Sequence, residues 1–408
     1  MRSSARSLGA IVGLFLTVVV VSSLGPSAPA HAVEIVQYFP VTPPDVQPAF
    51  PETGWRIRYE ILPQLTHGYG GAAVWELQSV EFMRGYTETG EQDWIKVLNN
   101  LALVEIYVPY YDGYEIWDMQ GLSGFVATSA AFVGGAGLLS AALQPDGAVI
   151  AEVADDHVRW MSVADQARRG QRLDLWATLS AANYRYIMRY SFLDDGTIQA
   201  RVAGTSQNLR SVPVGDETGM HVHLAAWRME FDLGAPGAND LHVVERIAAP
   251  DSAAATLQHR PFNNGVEGGE VWNPELFTSL MVESTLVDDR HTPPHKIGYK
   301  MVPLRGGTLR NFRQSTQKDV WAALLTGPNG STDRLRYMDV ANYVVLARPL
   351  AGQPQAIWTT AALQHMPRTE DFGAEGYTAS HGVALAMWTG FDLMPHNLWD
   401  KTPLYPFP

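Results

Sequence analysis

Two histidines separated by one residue are the first feature of this sequence that could do chemistry. His221-Val222-His223 opens a stretch that reaches residue 232, and its alternation places both histidines on the same face as Ala225, Trp227 and Met229. On a strand, residues i and i+2 point the same way, with Cα atoms roughly 6–7 Å apart. Both imidazoles could therefore bind one metal ion, copper or zinc, at about 2 Å. The alternative is a pair of core histidines bonded to the backbone.

A second alternating stretch, from 183 to 192, collects aromatic residues. Tyr184, Tyr186 and Tyr190 fall on one face, and Arg185 and Arg189 fall on the other. This period of two predicts another strand with one buried face.

Composition limits the class of protein. The 408 residues are 46% hydrophobic, which is ample for a core, and they carry a formal net charge of −13. That charge argues against binding nucleic acid or anionic lipid through electrostatics, and it is compatible with attracting a cation. The sequence has no cysteine, which excludes disulfides, zinc–thiolate sites, iron–sulfur clusters and thiol nucleophiles.

The amino-terminal segment 1–32 resembles a secretory signal peptide. Arg2 and Arg6 precede an apolar run, and Ala30-His31-Ala32 has the small-x-small pattern of a cleavage site. We therefore expect a secreted, extracellular protein. An uncleaved membrane anchor is the alternative, because the apolar run is rather long.

The rest of the chain divides into two parts. Residues 33–54 contain five prolines, which predicts an irregular linker or strap. From 55 to 408, short stretches rich in Val, Tyr, Trp and Ile are separated by Gly, Pro and Asp turns, a pattern typical of one all-β domain. The prediction is a large antiparallel β-sandwich with few short helices, for which 162–169 and 317–326 are possible windows.

The segment around Tyr184 resembles the topaquinone motif of the copper amine oxidases. In Ser180-Ala181-Ala182-Asn183-Tyr184-Arg185-Tyr186, Tyr184 stands where the family has the tyrosine that becomes the quinone. His221 and His223 follow where the family has its first two copper ligands, and the segment 360–371 is similar to the one bearing the third, which would be His365. Smaller matches at 108–110, 298–303 and 395–403 keep the family's order, so the resemblance covers 55–403.

This resemblance implies a fold, cofactors and an activity. The fold would be the β-sandwich of the family's catalytic domain, without the small amino-terminal domains that most members carry. The cofactors would be copper(II) and topaquinone derived from Tyr184. The reaction would convert a small primary amine and O2 into an aldehyde, hydrogen peroxide and ammonia, and the protein would be a homodimer.

The resemblance also implies roles for three further residues. A general base would be an Asp in a dry pocket, where desolvation raises its pKa toward working pH. Asp118 is the first candidate and Asp112 the rival, although only the Asp itself matches the family's base segment, and a surface turn is the alternative for either. Tyr110 would hydrogen-bond the cofactor oxygen, with an ordinary core tyrosine as the alternative. Asn183 would fix the backbone beside Tyr184.

Several departures from the family pattern keep other functions open. Arg185 replaces the acid that follows the cofactor tyrosine. Glu230 and Asp232 match the family's calcium acids, but the second contributing segment near 353–354 lacks its acid, so calcium is not predicted. One alternative function is altered copper chemistry on another nitrogen substrate. The other is a non-catalytic secreted copper-binding protein.

Overall fold

The fold is derived from a computed structural model. It describes the following residues: 17–19, 32–39, 53–62, 74–87, 89–109, 115–119, 124–126, 149–161, 167–181, 184–206, 221–248, 255–289, 291–304, 313–327, 330–365 and 384–399.

Strands make up most of the described chain. In chain order they are β1 Thr17–Val19, β2 Val33–Phe39, β3 Thr53–Leu62, β4 Val74–Tyr86, β5 Gln92–Pro109, β6 Glu115–Trp117, β7 Gly124–Val126, β8 Val149–Met161, β9 Ala167–Ala181, β10 Tyr184–Leu193, β11 Ile198–Ser206, β12 His221–Phe231, β13 Asn239–Ala248, β14 Ala255–Pro261, β15 Gly268–Glu270, β16 Ser279–Asp288, β17 Lys296–Leu304, β18 Val320–Leu324, β19 Thr326–Gly327, β20 Gly330–Ser331, β21 Gln355–His365 and β22 Ala384–His396.

Helices are few and short. The α-helix α1 spans Val340–Tyr343, and the 3-10 helices are Phe262–Gly265, Pro274–Leu276, Gln314–Gln317, Tyr337–Asp339 and Val344–Leu346. Within the described ranges, no helix reaches the length and apolarity needed to cross a membrane.

The strands form two ten-stranded sheets in which every described pairing is antiparallel. Sheet A has the order β1-β2-β3-β4-β5-β12-β21-β18-β15, with β6 also pairing with β5. Sheet B has the order β14-β13-β16-β17-β22-β11-β10-β9-β7, with β8 also pairing with β9. Strands β19 and β20 form a separate small hairpin. The predicted antiparallel β-sandwich with few short helices is confirmed.

Large aromatic side chains fill the space between the two sheets. Trp75 of sheet A packs on Tyr190 of sheet B with ring centroids 4.8 Å apart, and Trp227 of sheet A lies 5.4 Å from Phe391 of sheet B. All four side chains are buried. Each strand contributes alternate residues to this core, because successive side chains point to opposite faces. The alternation of 183–192 matches the burial of the first part of β10, whereas most of β12 is buried on both faces.

Part of the predicted linker is strand. Val33–Phe39 pairs with Thr53–Leu62, and its residues alternate between buried and half-buried. The prolines that suggested a linker lie at 40–51, outside the described residues. β1, within the stretch predicted to be a leader, pairs with β2, and the leader stays a prediction. Sheet A thus includes residues before 55, and the domain bounds stay a prediction.

The two helical windows were also wrong where the structure describes them. In 317–326 the chain leaves a 3-10 helix at Gln317 and enters the buried strand Val320–Leu324. From Ala167 onward the other window belongs to β9. Pairing with neighbouring strands outweighs a weak local helical preference at both places.

Gly390 offers a test of how tightly sheet B is packed. Its φ is 149°, and a Cβ at this position would overlap the carbonyl oxygen of Ala200 on β11. We expect Gly390→Ala to lower the free energy of unfolding by about 3 kcal/mol or more, since a backbone oxygen cannot move without breaking the ladder. Chemical denaturation measures this change.

The matched control is Gly352→Ala. Gly352 also has a positive φ, 69°, but nothing among the described atoms lies within 4 Å of its added Cβ. Only backbone strain remains there, so the expected cost is about 1–2 kcal/mol. Equal losses for the two variants would contradict the close approach of β22 to β11.

Candidate metal centre

The three histidines of the candidate centre lie on two neighbouring strands of sheet A. His221 and His223 project from the same face of β12, and His365 ends β21. The β12–β21 ladder pairs His221 directly with His365. Because side chains of directly paired residues lie on the same face of a sheet, the third imidazole joins the first two. All three histidines are buried.

Tyr184 reaches this group from the opposite sheet. It is the first residue of β10, where it pairs with Ala181 on β9 and Ser206 on β11. Its side chain is buried between the sheets. Its hydroxyl oxygen lies 2.7 Å from Nε2 of His221 and 2.7 Å from Nδ1 of His365. Its ring centroid lies 4.6 Å from that of His223.

The three imidazoles have the spacing of a metal site. Each offers one ring nitrogen, and these nitrogens lie within 4.8 Å of one another. Nε2 of His223 is buried and has no hydrogen-bond partner among the described residues. An unsatisfied buried nitrogen carries an energetic cost that a metal–ligand bond would remove. The residues present therefore fit a metal ion held by three imidazoles.

Electrostatics keeps at least one of these ligands neutral. Burial lowers the pKa of His223 well below its usual value, and the neighbouring His221 and His365 lower it further. A metal ligand must be the neutral form of histidine. His223 is thus ready to bind a metal across the neutral pH range.

Tyr186 connects this centre to the candidate base. It lies two residues after Tyr184 on the same face of β10, so its ring is also buried between the sheets. Its hydroxyl lies 2.7 Å from Nδ1 of His223, and it also donates a short hydrogen bond to Oδ2 of Asp118. Tyr186 was not identified as a site residue from the sequence, although its position on the face of Tyr184 was visible there.

Asp118 occupies a turn that is fixed by sheet A. It follows β6, which pairs with β5, and its backbone N–H donates to the carbonyl oxygen of Ile106 at 2.8 Å. The buried carboxylate of Glu105 accepts from the backbone N–H of Met119 at 3.3 Å. Glu105 is a second supporting residue that sequence reasoning missed.

Burial raises the pKa of Asp118 to about 7, although the hydrogen bond from Tyr186 acts in the opposite direction. The side chain has the dry environment expected of a base that works near neutral pH. Asp118 therefore lies in the interior, in contact with a residue that touches the histidine cluster, and is not a surface-turn aspartate.

The other predicted residues have different outcomes. Tyr110, Asn183 and the rival base Asp112 lie outside the described residues. Arg185 is exposed, and its guanidinium donates to the carbonyl oxygen of Tyr184 at 3.0 Å. Its charge lies on the opposite side of β10 from the histidines, because successive side chains alternate.

The two acids that match the family's calcium residues are engaged in ion pairs. Glu230 pairs with the buried Arg228 at 2.5 Å, and Asp232 pairs with Lys96 at 3.1 Å.

The raised pKa of Asp118 makes stability depend on pH. The folded protein keeps this proton up to about pH 7, whereas the unfolded chain releases it near the ordinary value of 3.8. Asp118 therefore stabilises the fold at low pH, and this contribution is lost as pH rises to 7. Relative to the parent, Asp118→Asn should gain stability by at most about 1.4 kcal/mol per pH unit across this window and level off above it.

The measurement is urea denaturation of both copper-free proteins between pH 5 and 8. The comparison cancels the other groups that titrate in this range, including Asp194, whose pKa is also raised to about 7 by burial. A difference in stability that does not change with pH would contradict the raised pKa of Asp118.

Comparison with known proteins finds similarity at the level of structure only. The sequence matches no family model and no curated protein. The structure is similar to a copper-containing benzylamine oxidase from Hansenula polymorpha, with a TM-score of 0.59 and 14% identity. It is also similar to an amine oxidase from Aspergillus nidulans (TM-score 0.58, 14% identity) and to the lysyl oxidase of Pichia pastoris (TM-score 0.56, 13% identity).

The aligned regions cover most of this chain but a smaller share of each oxidase. Each covers 86% of this chain, but only 60% of the Hansenula enzyme and 52% of each of the other two. The chain thus spans little more than half the length of these oxidases. At such low identity the comparison concerns architecture alone, and the β-sandwich of this protein is similar in fold to these three oxidases.

Proposed function

We propose that this protein is a copper-dependent oxidase of primary amines in which Tyr184 is converted into topaquinone. It would use O2 and water to convert a small primary amine into an aldehyde, releasing hydrogen peroxide and ammonia. The observation that carries the proposal is the position of the Tyr184 hydroxyl, 2.7 Å from ring nitrogens of both His221 and His365. The hydroxyl thus contacts two of the three candidate metal ligands, and the ring packs against the third.

Copper(II) suits the proposed ligand set. His221, His223 and His365 offer three imidazoles and no thiolate, a set that favours copper or zinc over harder ions. When bound, copper with O2 would supply the oxidation of the Tyr184 ring to a quinone, and the quinone would accept the electrons of the amine. The residues around Tyr184 would keep bulk water away from this chemistry, because the three candidate ligands and the side chains of Tyr184 and Tyr186 are buried.

Asp118 would act as the general base. Its pKa of about 7, raised by burial, lets the carboxylate accept a proton at neutral pH and release it again. The hydrogen bond from Tyr186 would hold the carboxylate in one orientation. In this proposal Asp118 removes the proton from the α-carbon of the amine.

Tyr186 would position two groups at once. Its hydroxyl contacts Nδ1 of His223 and Oδ2 of Asp118. Partners of this kind orient metal-bound imidazoles, and their loss typically costs 10–100-fold in affinity or activity. Tyr186 therefore links the orientation of the base to that of a metal ligand.

The proposal also includes the location and the oligomeric state of the enzyme. The leader-like segment 1–32 supports export, and the resemblance to the family supports a homodimer. Arg185 was one reason for the alternative of altered copper chemistry, beside the altered base segment. Its guanidinium is exposed and turned away from the buried face of β10, so the charge reversal need not disturb the centre.

The visible spectrum tests the cofactor. The purified protein, supplied with copper(II) under air, should develop a quinone absorption band that shifts on reaction with phenylhydrazine. Tyr184→Phe should remain colourless because the ring that must be oxidised lacks its hydroxyl. Tyr190→Phe is the matched control, since Tyr190 is buried on the same face of β10 but bonds the backbone of Leu103.

Two results would count against this assignment. A protein that binds copper and stays colourless would be the non-catalytic copper-binding protein. A band that persists in Tyr184→Phe would mean that another residue or an impurity carries the colour.

Turnover tests the base. Asp118→Asn should develop the same colour as the parent and lose activity by about 10²–10⁴-fold, because general-base catalysis contributes on that scale. Hydrogen peroxide release across a panel of primary amines measures it. Asp194→Asn, which changes another buried carboxylate with a pKa near 7, should keep its activity. Full activity in Asp118→Asn would transfer the role to Asp112 or another group.

A further inference from the structure

The loop between β16 and β17 contains a second group of potential metal ligands. Asp289, His291 and His295 lie within seven residues, and their ligand atoms are within 4.8 Å of one another. Asp288 pairs with Lys296 at the base of the loop, and the backbone N–H of Asp289 donates to the carbonyl oxygen of His295 at 2.8 Å. The strand ladder thus holds the two ends of the loop together.

The Asp289 carboxylate is fixed by the loop itself. Oδ1 accepts from the backbone N–H groups of His291 at 3.0 Å and of His295 at 2.8 Å. The side chain is only 1% exposed. Burial opposes ionisation, but hydrogen bonds from the backbone and imidazoles of His295 and His291 outweigh it and hold the pKa of Asp289 well below its usual range. A fixed, ionised carboxylate results.

The second carboxylate oxygen faces both imidazoles. Oδ2 of Asp289 lies 2.8 Å from Nδ1 of His291 and 2.9 Å from Nδ1 of His295. The two rings are inclined at 75° with centroids 5.5 Å apart. Their side chains are 43% and 53% exposed, so solvent reaches the group from one side.

We propose that Asp289, His291 and His295 form a second, surface site for a divalent transition-metal ion. The ligand atoms would be Oδ2 of Asp289 and Nδ1 of each histidine, with water completing the coordination. Ligands about 2.0–2.2 Å from a tetrahedral ion lie roughly 3.4 Å apart. The contacts of 2.8 and 2.9 Å therefore need to lengthen by about half an ångström, which two half-exposed rings can provide by rotation.

The donor set selects the class of ion. Two imidazoles with one carboxylate favour zinc(II), copper(II) or nickel(II), whereas calcium and magnesium prefer oxygen ligands alone. The buried carboxylate supplies charge, and its two backbone hydrogen bonds act as the outer partners that orient a ligand. Because this group shares no residue with the three-histidine centre, it would bind its ion independently of the proposed oxidase.

Zinc counting on the full-length protein tests the site. Metal-free protein is equilibrated with micromolar zinc(II), and bound zinc is measured by mass spectrometry. The double variant His291→Asn/His295→Asn should bind one equivalent less than the parent. His259→Asn, which removes an exposed histidine elsewhere on sheet B, should bind as much as the parent. His223→Ala should keep the loop equivalent whatever happens at the central site.

A second readout checks what the ion does. Zinc(II) should raise the thermal midpoint of His223→Ala, because an ion that binds only the folded state stabilises it. The same protein with the two loop substitutions should show no such rise. Equal zinc content in the parent and the loop variant would overturn the proposal, and so would an equal loss in His259→Asn, which would indicate nonspecific binding to surface histidines.

Discussion

The candidate site depends on one contact between the two sheets, in which the Tyr184 hydroxyl lies against the imidazoles of His221 and His365. Tyr184 belongs to sheet B, while His221 and His365 belong to sheet A, and the hydroxyl lies 2.7 Å from a nitrogen of each. The β12–β21 register places the two imidazoles opposite each other. A slip of one residue would turn a strand's side chains to the other face, so the site exists only if the pairing of strands and the packing of sheets are both correct.

The sequence alone predicted the part of this arrangement that lies within single strands. The period of two was readable in 183–192 and 221–232, and it placed Tyr184, His221 and His223 on faces that are buried. It did not show that most of the opposite face of β12 is buried as well. Resemblance to known motifs connected these strands to His365. Nothing local indicated that Tyr186 would join His223 to Asp118, because these residues are 37 and 68 positions distant from Tyr186 along the chain. Such contacts arise from the packing of one sheet on the other.

The errors have physical causes as well. Five prolines between 40 and 51 dominated the interpretation of 33–54 and hid the alternating strand Val33–Phe39. A run that looked helical at 317–326 contains a strand whose partners lie far away in the chain, on β15 and β21. The sequence did not point to the loop group at Asp289, because its two histidines lie outside any strand and show no alternation. There the carboxylate is held by backbone N–H groups of its own loop.

The hydroxyl of Tyr186 has one proton, so it can donate to only one of its two partners, His223 and Asp118. An ion on Nε2 of His223 would leave that ring's proton on Nδ1, pointing at the Tyr186 oxygen. The Tyr186 hydroxyl must then accept a hydrogen bond from the imidazole and donate its own hydrogen bond to Asp118. Asp118 then accepts at Oδ2, and a hydrogen bond to a carboxylate favours its ionised form. Metal binding at His223 would thus favour the ionised form of Asp118, the proposed base, before an amine binds.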